Sequence, residues 1–121
     1  MVSGAVKGLV PVVPVAIVDG SGVPQQFQAV LDTAFIGTVS LPHSSIERLG
    51  LTDPSTEAVT FANGETEECN IYLATAIWGG ERYSVSVYEL GPEPLIGMEL
   101  LNGSHVSMDV YEDGPISIEP L

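Results

Sequence analysis

Asp32 is the residue of this sequence best placed to do chemistry. With His taken as neutral, its carboxylate is the only charge between Asp19 and Glu47, and it interrupts the apolar stretch "QAVLDTAFIGTVSLP", residues 28–42. A carboxylate among apolar residues is costly unless it is hydrogen-bonded or paired. Two interpretations follow: an Asp at a strand end that bonds its own backbone in an Asx turn, or an acid held in a functional site.

The other reactive residue types are scattered along the chain. His43 and His105 are far apart and lack the spacing of metal ligands, so no metal and no cofactor is expected. Cys69 is the single cysteine, which excludes an internal disulfide and favours a reducing, cytoplasmic location. The acidic run "ETEE" (65–68) lacks the spaced Asp, Asn and Gly of a calcium loop and is expected to be a solvated hairpin.

The composition indicates a protein built from many short strands. The chain has 121 residues, 45% of them hydrophobic, with 13 Gly and 9 Pro, which fits a single domain over 1–121. A net charge of −13, from 16 acidic and 3 basic residues, argues against nucleic acid and an anionic membrane as partners. The N-terminal "VKGLVPVVPVAIV" contains two prolines and is expected to be a strand, not a signal peptide or a membrane span.

Periodicity and turn residues place the elements that must position Asp32. A strand is expected over 6–18, at a sheet edge because of its prolines, and a second over 25–33. A short helix is expected in "PHSSIERLGL" (42–51), with Gly50 just past its end. The remaining elements are a long hairpin over 57–78 around Asn63-Gly64, a strand over 81–90, a strand and helical turn over 95–103, and a last hairpin over 105–120.

Two motifs in this order resemble those of the retropepsin-like aspartic proteases, the single-lobe family that includes the retroviral enzymes. The first is Val30-Leu31-Asp32-Thr33-Ala34, where the family has an apolar pair and then Asp-Thr/Ser-Gly; the second is "LIGMELL" (95–101), an apolar pair and a Gly before a short helix. The resemblance runs from about Gly8 to Leu121. It implies a small closed all-β barrel with one or two short helices, and a flap hairpin whose tip is Ala62, Asn63 and Gly64.

The resemblance also implies a catalytic pair of carboxylates that share one proton and hold one water. Two carboxylates about 3 Å apart cannot both ionise. No other Asp of this chain lies in such a motif, so the expected partner is Asp32 of a second copy, in a homodimer. Thr33 would hydrogen-bond across the two-fold axis, Ala34 would line the floor, and the N-terminal strand and "ISIEP" (116–120) would contribute to dimer packing.

The resulting expectation is an aspartic endopeptidase that hydrolyses peptide or protein substrates. The residues at 62–64 would close over an extended peptide. Glu65, Glu67 and Glu68, close behind the tip, predict a preference for basic peptides.

Ala34 departs from the family motif, which has Gly at this position. Its methyl group is compatible with ordinary backbone angles and destabilising where φ is positive. This departure supports a second hypothesis, a non-catalytic dimeric module of the same fold that binds a peptide or a partner. A third is a small β-domain of unrelated function, such as a toxin–antitoxin or assembly component, in which Asp32 only caps a turn.

Overall fold

A computed structural model describes residues 1–61 and 63–121 of the chain. Neither helix in these two ranges has both the length and the apolar character needed to cross a bilayer. The elements, in chain order, are β1 (Val2–Lys7), β2 (Val10–Val18), β3 (Pro24–Leu31), β4 (Val39–Leu41), α1 (His43–Leu49), β5 (Ser55–Thr60), β6 (Thr66–Trp78), β7 (Glu81–Glu89), β8 (Leu95–Ile96), α2 (Met98–Leu101), β9 (Ser104–Met108) and β10 (Pro115–Pro120).

The strands form a curled sheet that closes on itself. Their order is β5-β6-β7-β4-β8-β3-β2-β1-β10-β9, and β2 pairs in addition with β6. This extra pairing sets Ala16 opposite Ile77 and Ile17 opposite Ala76, which completes a ring of β2, β3, β8, β4, β7 and β6. The predicted small closed all-β barrel with short helices is therefore confirmed.

The predicted first strand, 6–18, is wrong in its extent and position. The chain turns at Gly8 and Leu9, whose φ angles are 57° and 63°, and β1 folds back antiparallel to β2. β2 is not an edge strand, because β1, β3 and β6 all pair with it. Pro14 is tolerated because it lies between the part of β2 that pairs with β1 and the part that pairs with β6, where one side of the strand has no partner.

The predicted helix occurs as α1. Pro42 immediately precedes it, and Gly50 ends it with a φ of 64° and a backbone N–H directed at the carbonyl oxygens of Ile46 and Glu47. Ile46 and Leu49 form its buried face, so the short helix is stabilised by packing on the barrel more than by its own hydrogen bonds.

The predicted long hairpin is formed by β5 and β6. At its tip Gly64 has a φ of 85° and donates its N–H to the carbonyl oxygen of Phe61 at 2.9 Å. The side-chain oxygen of Asn63 accepts the N–H of Glu65 at 3.0 Å. Ala62, predicted as part of this tip, lies outside the described residues.

The barrel interior holds the core. Phe27, Ala29 and Leu31, which alternate along β3, form its buried face. Side chains with almost no exposure include Ile17, Leu41 and Ile96 from three other strands. Burying an aliphatic side chain of this size stabilises the fold by roughly 1.5–3 kcal/mol, so the strands that carry the site are held rigidly.

Candidate active site

β8 lies between two strands that follow each other in the chain. Val30 of β3 lies parallel to Leu95 of β8, and Ser40 of β4 lies antiparallel to the same Leu95. Inserting β8 forces the segment between β3 and β4, residues 32–38, out of the sheet as a loop. Asp32 is its first residue, and its backbone N–H donates to the carbonyl oxygen of Ile96 at 2.9 Å.

The start of α2 holds the rest of this loop. Gly97 donates its N–H to the Thr38 carbonyl oxygen at 2.9 Å, Met98 to that of Phe35 at 2.8 Å, and Glu99 to that of Ile36 at 3.0 Å. These bonds use N–H groups that a helix start leaves without internal partners. The second sequence motif thus supports the first through its backbone.

The Asp32 side chain is half-buried at the start of the loop. Its Oδ1 accepts the backbone N–H of Ala34 at 2.9 Å, which is the Asx turn considered from the sequence. Within residues 1–61 and 63–121 the second oxygen, Oδ2, has no hydrogen-bond partner. One oxygen therefore fixes the carboxylate while the other can take a water or a substrate group.

Ala34 adopts ordinary backbone geometry. In the described residues, positive φ at non-glycine positions occurs at Leu9, Asp53 and Asp113, so Ala34 carries no left-handed strain. Its side chain is exposed. The methyl group at the motif's third position is accommodated without distorting the loop.

A cleft of about 760 Å³ opens between this loop and the β5–β6 hairpin. Asp32 and Ala34 line it on the loop side, and Thr60 and Asn63 on the hairpin side. Most of the remaining lining is apolar, contributed by Phe35, Ile36, Gly37, Ala58, Val59, Phe61, Tyr88, Leu90, Gly91 and Leu95. A mostly apolar cleft with a few polar groups is typical of a binding site.

Phe35 and Tyr88 both line the cleft and pack on each other. Their rings meet edge to face, with centroids 5.4 Å apart and planes at 87°, a favoured aromatic geometry. Ile36 also lines the cleft, and it is 81% exposed. Two packed aromatic rings and an exposed aliphatic side chain suit an extended peptide with apolar side chains.

Thr33 lies on a different surface from Asp32. It lines a groove of about 400 Å³ together with Pro11, Leu31, Met98, Leu101, Ser104, Val106 and Met108. None of these eight residues is charged, although the chain carries a net charge of −13. The groove borders β9, which forms one edge of the sheet.

Comparison with solved structures identifies the architecture. The chain is similar to the structure described as "a retropepsin-like aspartic protease from Rickettsia conorii", with a TM-score of 0.63 and 16% sequence identity over 98% of this chain and 92% of that one. This chain has a retropepsin-like fold. No protein-family model matches the sequence, and no curated protein matches it either.

The retropepsin-like fold distributes the predicted site residues over two surfaces. Asp32, Ala34 and Asn63 meet in the cleft, and Thr33 faces the uncharged groove. Gly64 forms the hairpin turn without lining the cleft. The terminal strands predicted to pack a dimer already have neighbours on both sides, since β1 lies between β2 and β10, and β10 between β1 and β9.

Glu57 is a cleft residue that sequence reasoning missed. It lies on β5 and lines the cleft, whereas Glu65, Glu67 and Glu68 do not. The sequence did hold a signal for Glu57. The turn at Asn63-Gly64 fixes how β5 pairs with β6, and this pairing fixes which of their residues share a face.

A separate cluster of titratable groups lies at the start of α1. His43 contacts Glu89 at 2.9 Å and Glu47 at 2.6 Å, and the hydrogen bond with Glu89, followed by that with Glu47, raises the pKa of His43. Asn70 donates to the other Glu89 oxygen at 3.2 Å. Across the described residues there is no group of three or more His, Cys, Asp or Glu side chains that could hold a metal ion.

Cys69 is a buried residue on β6. Burial, with a smaller contribution from Glu57, raises its pKa. A thiol of raised pKa is a poor nucleophile, so the sulfur does not compete with Asp32 as the reactive group.

Proposed function

We propose that the chain is an aspartic endopeptidase whose active site forms between two copies, with residues 1–121 acting as one catalytic domain. The observation that carries the proposal is the Asp32 carboxylate, held by the Ala34 N–H through one oxygen and directed at a peptide-sized cleft beneath a hairpin. The retropepsin-like fold supports this proposal.

The need for a second copy follows from the acids in the cleft. Asp32 and Glu57 are the two acidic residues among its described lining, and they lie on opposite sides, on the loop and on β5. Peptide hydrolysis by this chemistry needs two adjacent carboxylates, one ionised as general base on the water and one protonated to stabilise the developing oxyanion. A two-fold axis beside Asp32 supplies the second acid from an identical loop.

The groove around Thr33 is the face on which the second copy would dock. It adjoins Asp32 in sequence and carries no charged side chain, so two strongly acidic chains can approach there with the least repulsion. The free edge of β9 borders it. In this arrangement Thr33 bonds across the axis and keeps the two Asp32 loops in register.

Catalysis would then proceed within the apolar cleft. An extended peptide lies between the loop and the β5–β6 hairpin, where its backbone can pair with strand edges. One Asp32 takes a proton from the water while the other donates a hydrogen bond to the scissile carbonyl oxygen. Closure of the hairpin over the peptide excludes bulk water and strengthens both interactions.

The proposal is tested by peptide cleavage with a matched pair of variants. Asp32→Asn preserves the oxygen that accepts the Ala34 N–H, so it should fold normally and lose at least about 10²–10⁴-fold in cleavage rate. Asp53→Asn removes an equal charge from an exposed position between α1 and β5, and this variant should cleave normally. Cleavage that persists in the Asp32→Asn variant and is not inhibited by pepstatin-type compounds would refute the proposal.

The non-catalytic binding module is the alternative that this experiment separates. It predicts a dimer that binds peptides in the same cleft but yields no cleavage products at acidic or neutral pH. The ordinary backbone of Ala34 removes the conformational objection to catalysis, which favours the endopeptidase.

A further inference from the structure

Glu57 faces the inside of the cleft from the β5–β6 hairpin. The pairing register sets it opposite Cys69, and residues directly opposite in an antiparallel pair point to the same side of the sheet. Cys69 is only 6% exposed, so this side is turned toward the body of the protein. Glu68 is paired with Ala58, one position along, so it lies on the opposite face of the hairpin from Glu57, and it is not among the residues that line the cleft.

The charge of Glu57 reaches the cleft wall. Burial is the main cause that raises the pKa of Tyr88, and the negative charge of Glu57 is the next. Tyr88 itself lines the cleft. The carboxylate is therefore close to the surface that a bound peptide would contact.

In the part of the chain that the structure describes, residues 1–61 and 63–121, no basic side chain is paired with this carboxylate. Lys7 is bonded to Asp113, and the Arg48 guanidinium lies 4.5 Å from the centre of the Phe27 ring. Arg82 lies opposite Ile77, near the other end of β6. Neither Lys, Arg nor His occurs among the described residues that line the cleft.

We propose that Glu57 is a specificity-determining residue that selects peptides carrying a lysine or arginine side chain. This inference rests on the proposed function of the cleft and adds its substrate class. The aliphatic stem of the basic residue would pack on Val59 and Tyr88, while its charged end meets the Glu57 carboxylate. The apolar remainder of the cleft would take the neighbouring side chains of the substrate.

The test measures binding, so that it does not depend on hydrolysis. Fluorescein-labelled octapeptides with an apolar centre, carrying either lysine or norleucine at one flanking position at a time, are titrated by anisotropy against the Asp32→Asn protein. We expect one position at which lysine improves affinity about two- to fivefold, as for an exposed ion pair. Adding Glu57→Gln should abolish this preference.

Glu68→Gln is the matched control, because it removes the same charge from the opposite face of the same hairpin, at a residue that does not line the cleft. In the Asp32→Asn background it should leave the lysine preference intact. Equal binding of lysine and norleucine peptides at every position, including no binding of either, would overturn the inference. A loss of preference in Glu68→Gln as large as in Glu57→Gln would also overturn it, since net charge alone would then explain the effect.

The two proposals can fail separately. If wild-type protein cleaves peptides equally well with and without basic residues, the endopeptidase proposal stands and the proposed role of Glu57 is refuted. A lysine preference in binding that depends on Glu57, without any cleavage by the wild-type chain, would keep the role of Glu57 and discard the endopeptidase.

Discussion

Gly97 lies against Gly37 so closely that a methyl group on it would be 2.1 Å from the Gly37 carbonyl oxygen. The same methyl group would lie 2.7 Å from the carbonyl oxygen of Phe35. Both oxygens belong to the loop that begins at Asp32. The second motif therefore needs glycine at position 97, because there is no room for a side chain. Its φ of −101° is ordinary, and backbone strain is not the reason.

Gly97→Ala should therefore destabilise the protein by about 3 kcal/mol or more, because backbone atoms must move to admit the methyl group. Urea unfolding followed by Trp78 fluorescence measures this loss. Gly8→Ala is the control: its φ is 57° with nothing within 4 Å of the added carbon, so it carries conformational strain alone, about 1 kcal/mol. Equal effects of the two substitutions would show that close packing at Gly97 is unimportant.

Ala34→Gly should lower stability slightly and leave activity unchanged. Because Ala34 has an ordinary φ, glycine gains nothing in the folded state and makes the unfolded chain more flexible, at a cost of about 0.4–1 kcal/mol. Unfolding curves and peptide cleavage rates measured on the same samples check both parts. A large gain in activity would mean that the alanine methyl group obstructs the catalytic floor.

The sequence predicted which residues form strands better than it predicted which strands pair with each other. Alternating apolar residues identify β3 and β7, and Asn63-Gly64 identifies the β5–β6 hairpin, because these signals are local. The parallel pairing of Val30 with Leu95 joins segments far apart in the chain. Because β8 is only two apolar residues long, its sequence does not indicate which strand it pairs with. The break at Leu9 was missed because a non-glycine residue takes up a left-handed φ there.

The candidate site was likewise predicted in part: its key residue was identified, but the arrangement around it was not. Asp32 stood out as a lone carboxylate in an apolar run at a strand end; the predicted strand, 25–33, included it, whereas β3 ends one residue earlier, at Leu31. The separation of Asp32 from Thr33, which faces another surface, follows from the path of the loop. Glu57 was missed because an acidic residue on a polar strand looks like an ordinary solvated side chain until the pairing with Cys69 is known.

His43 should make stability depend on pH in a defined direction. Its hydrogen bonds with Glu89 and Glu47 raise its pKa, so its contribution is fully present below the unfolded value, near pH 6.5, and is lost as the pH rises through the raised folded value. His43→Asn should therefore lower the urea midpoint at pH 6 and have a smaller effect at pH 8.5. In a Glu89→Gln background the effect at pH 6 should shrink. An effect of His43→Asn that is equal at both pH values would contradict this account.

Met98→Glu should weaken the proposed dimer. Met98 is 46% exposed in the uncharged groove beside Thr33, so the single chain can still fold with glutamate there. Burying the added charge between two acidic chains should raise the dimer dissociation constant about tenfold or more, as measured by sedimentation equilibrium. Leu73→Glu, at a position that is 84% exposed on β6, should leave the dimer unchanged, and dissociation by Leu73→Glu alone would place the interface elsewhere.

Mixing active and inactive chains tests the central claim most directly. Wild-type and Asp32→Asn chains are unfolded together in equal amounts, refolded, and assayed at the same total concentration of chain. If each site needs Asp32 from both copies, random pairing leaves about one quarter of the all-wild-type cleavage rate. A rate of about one half would mean that each chain works with its own acid alone and would contradict the shared site.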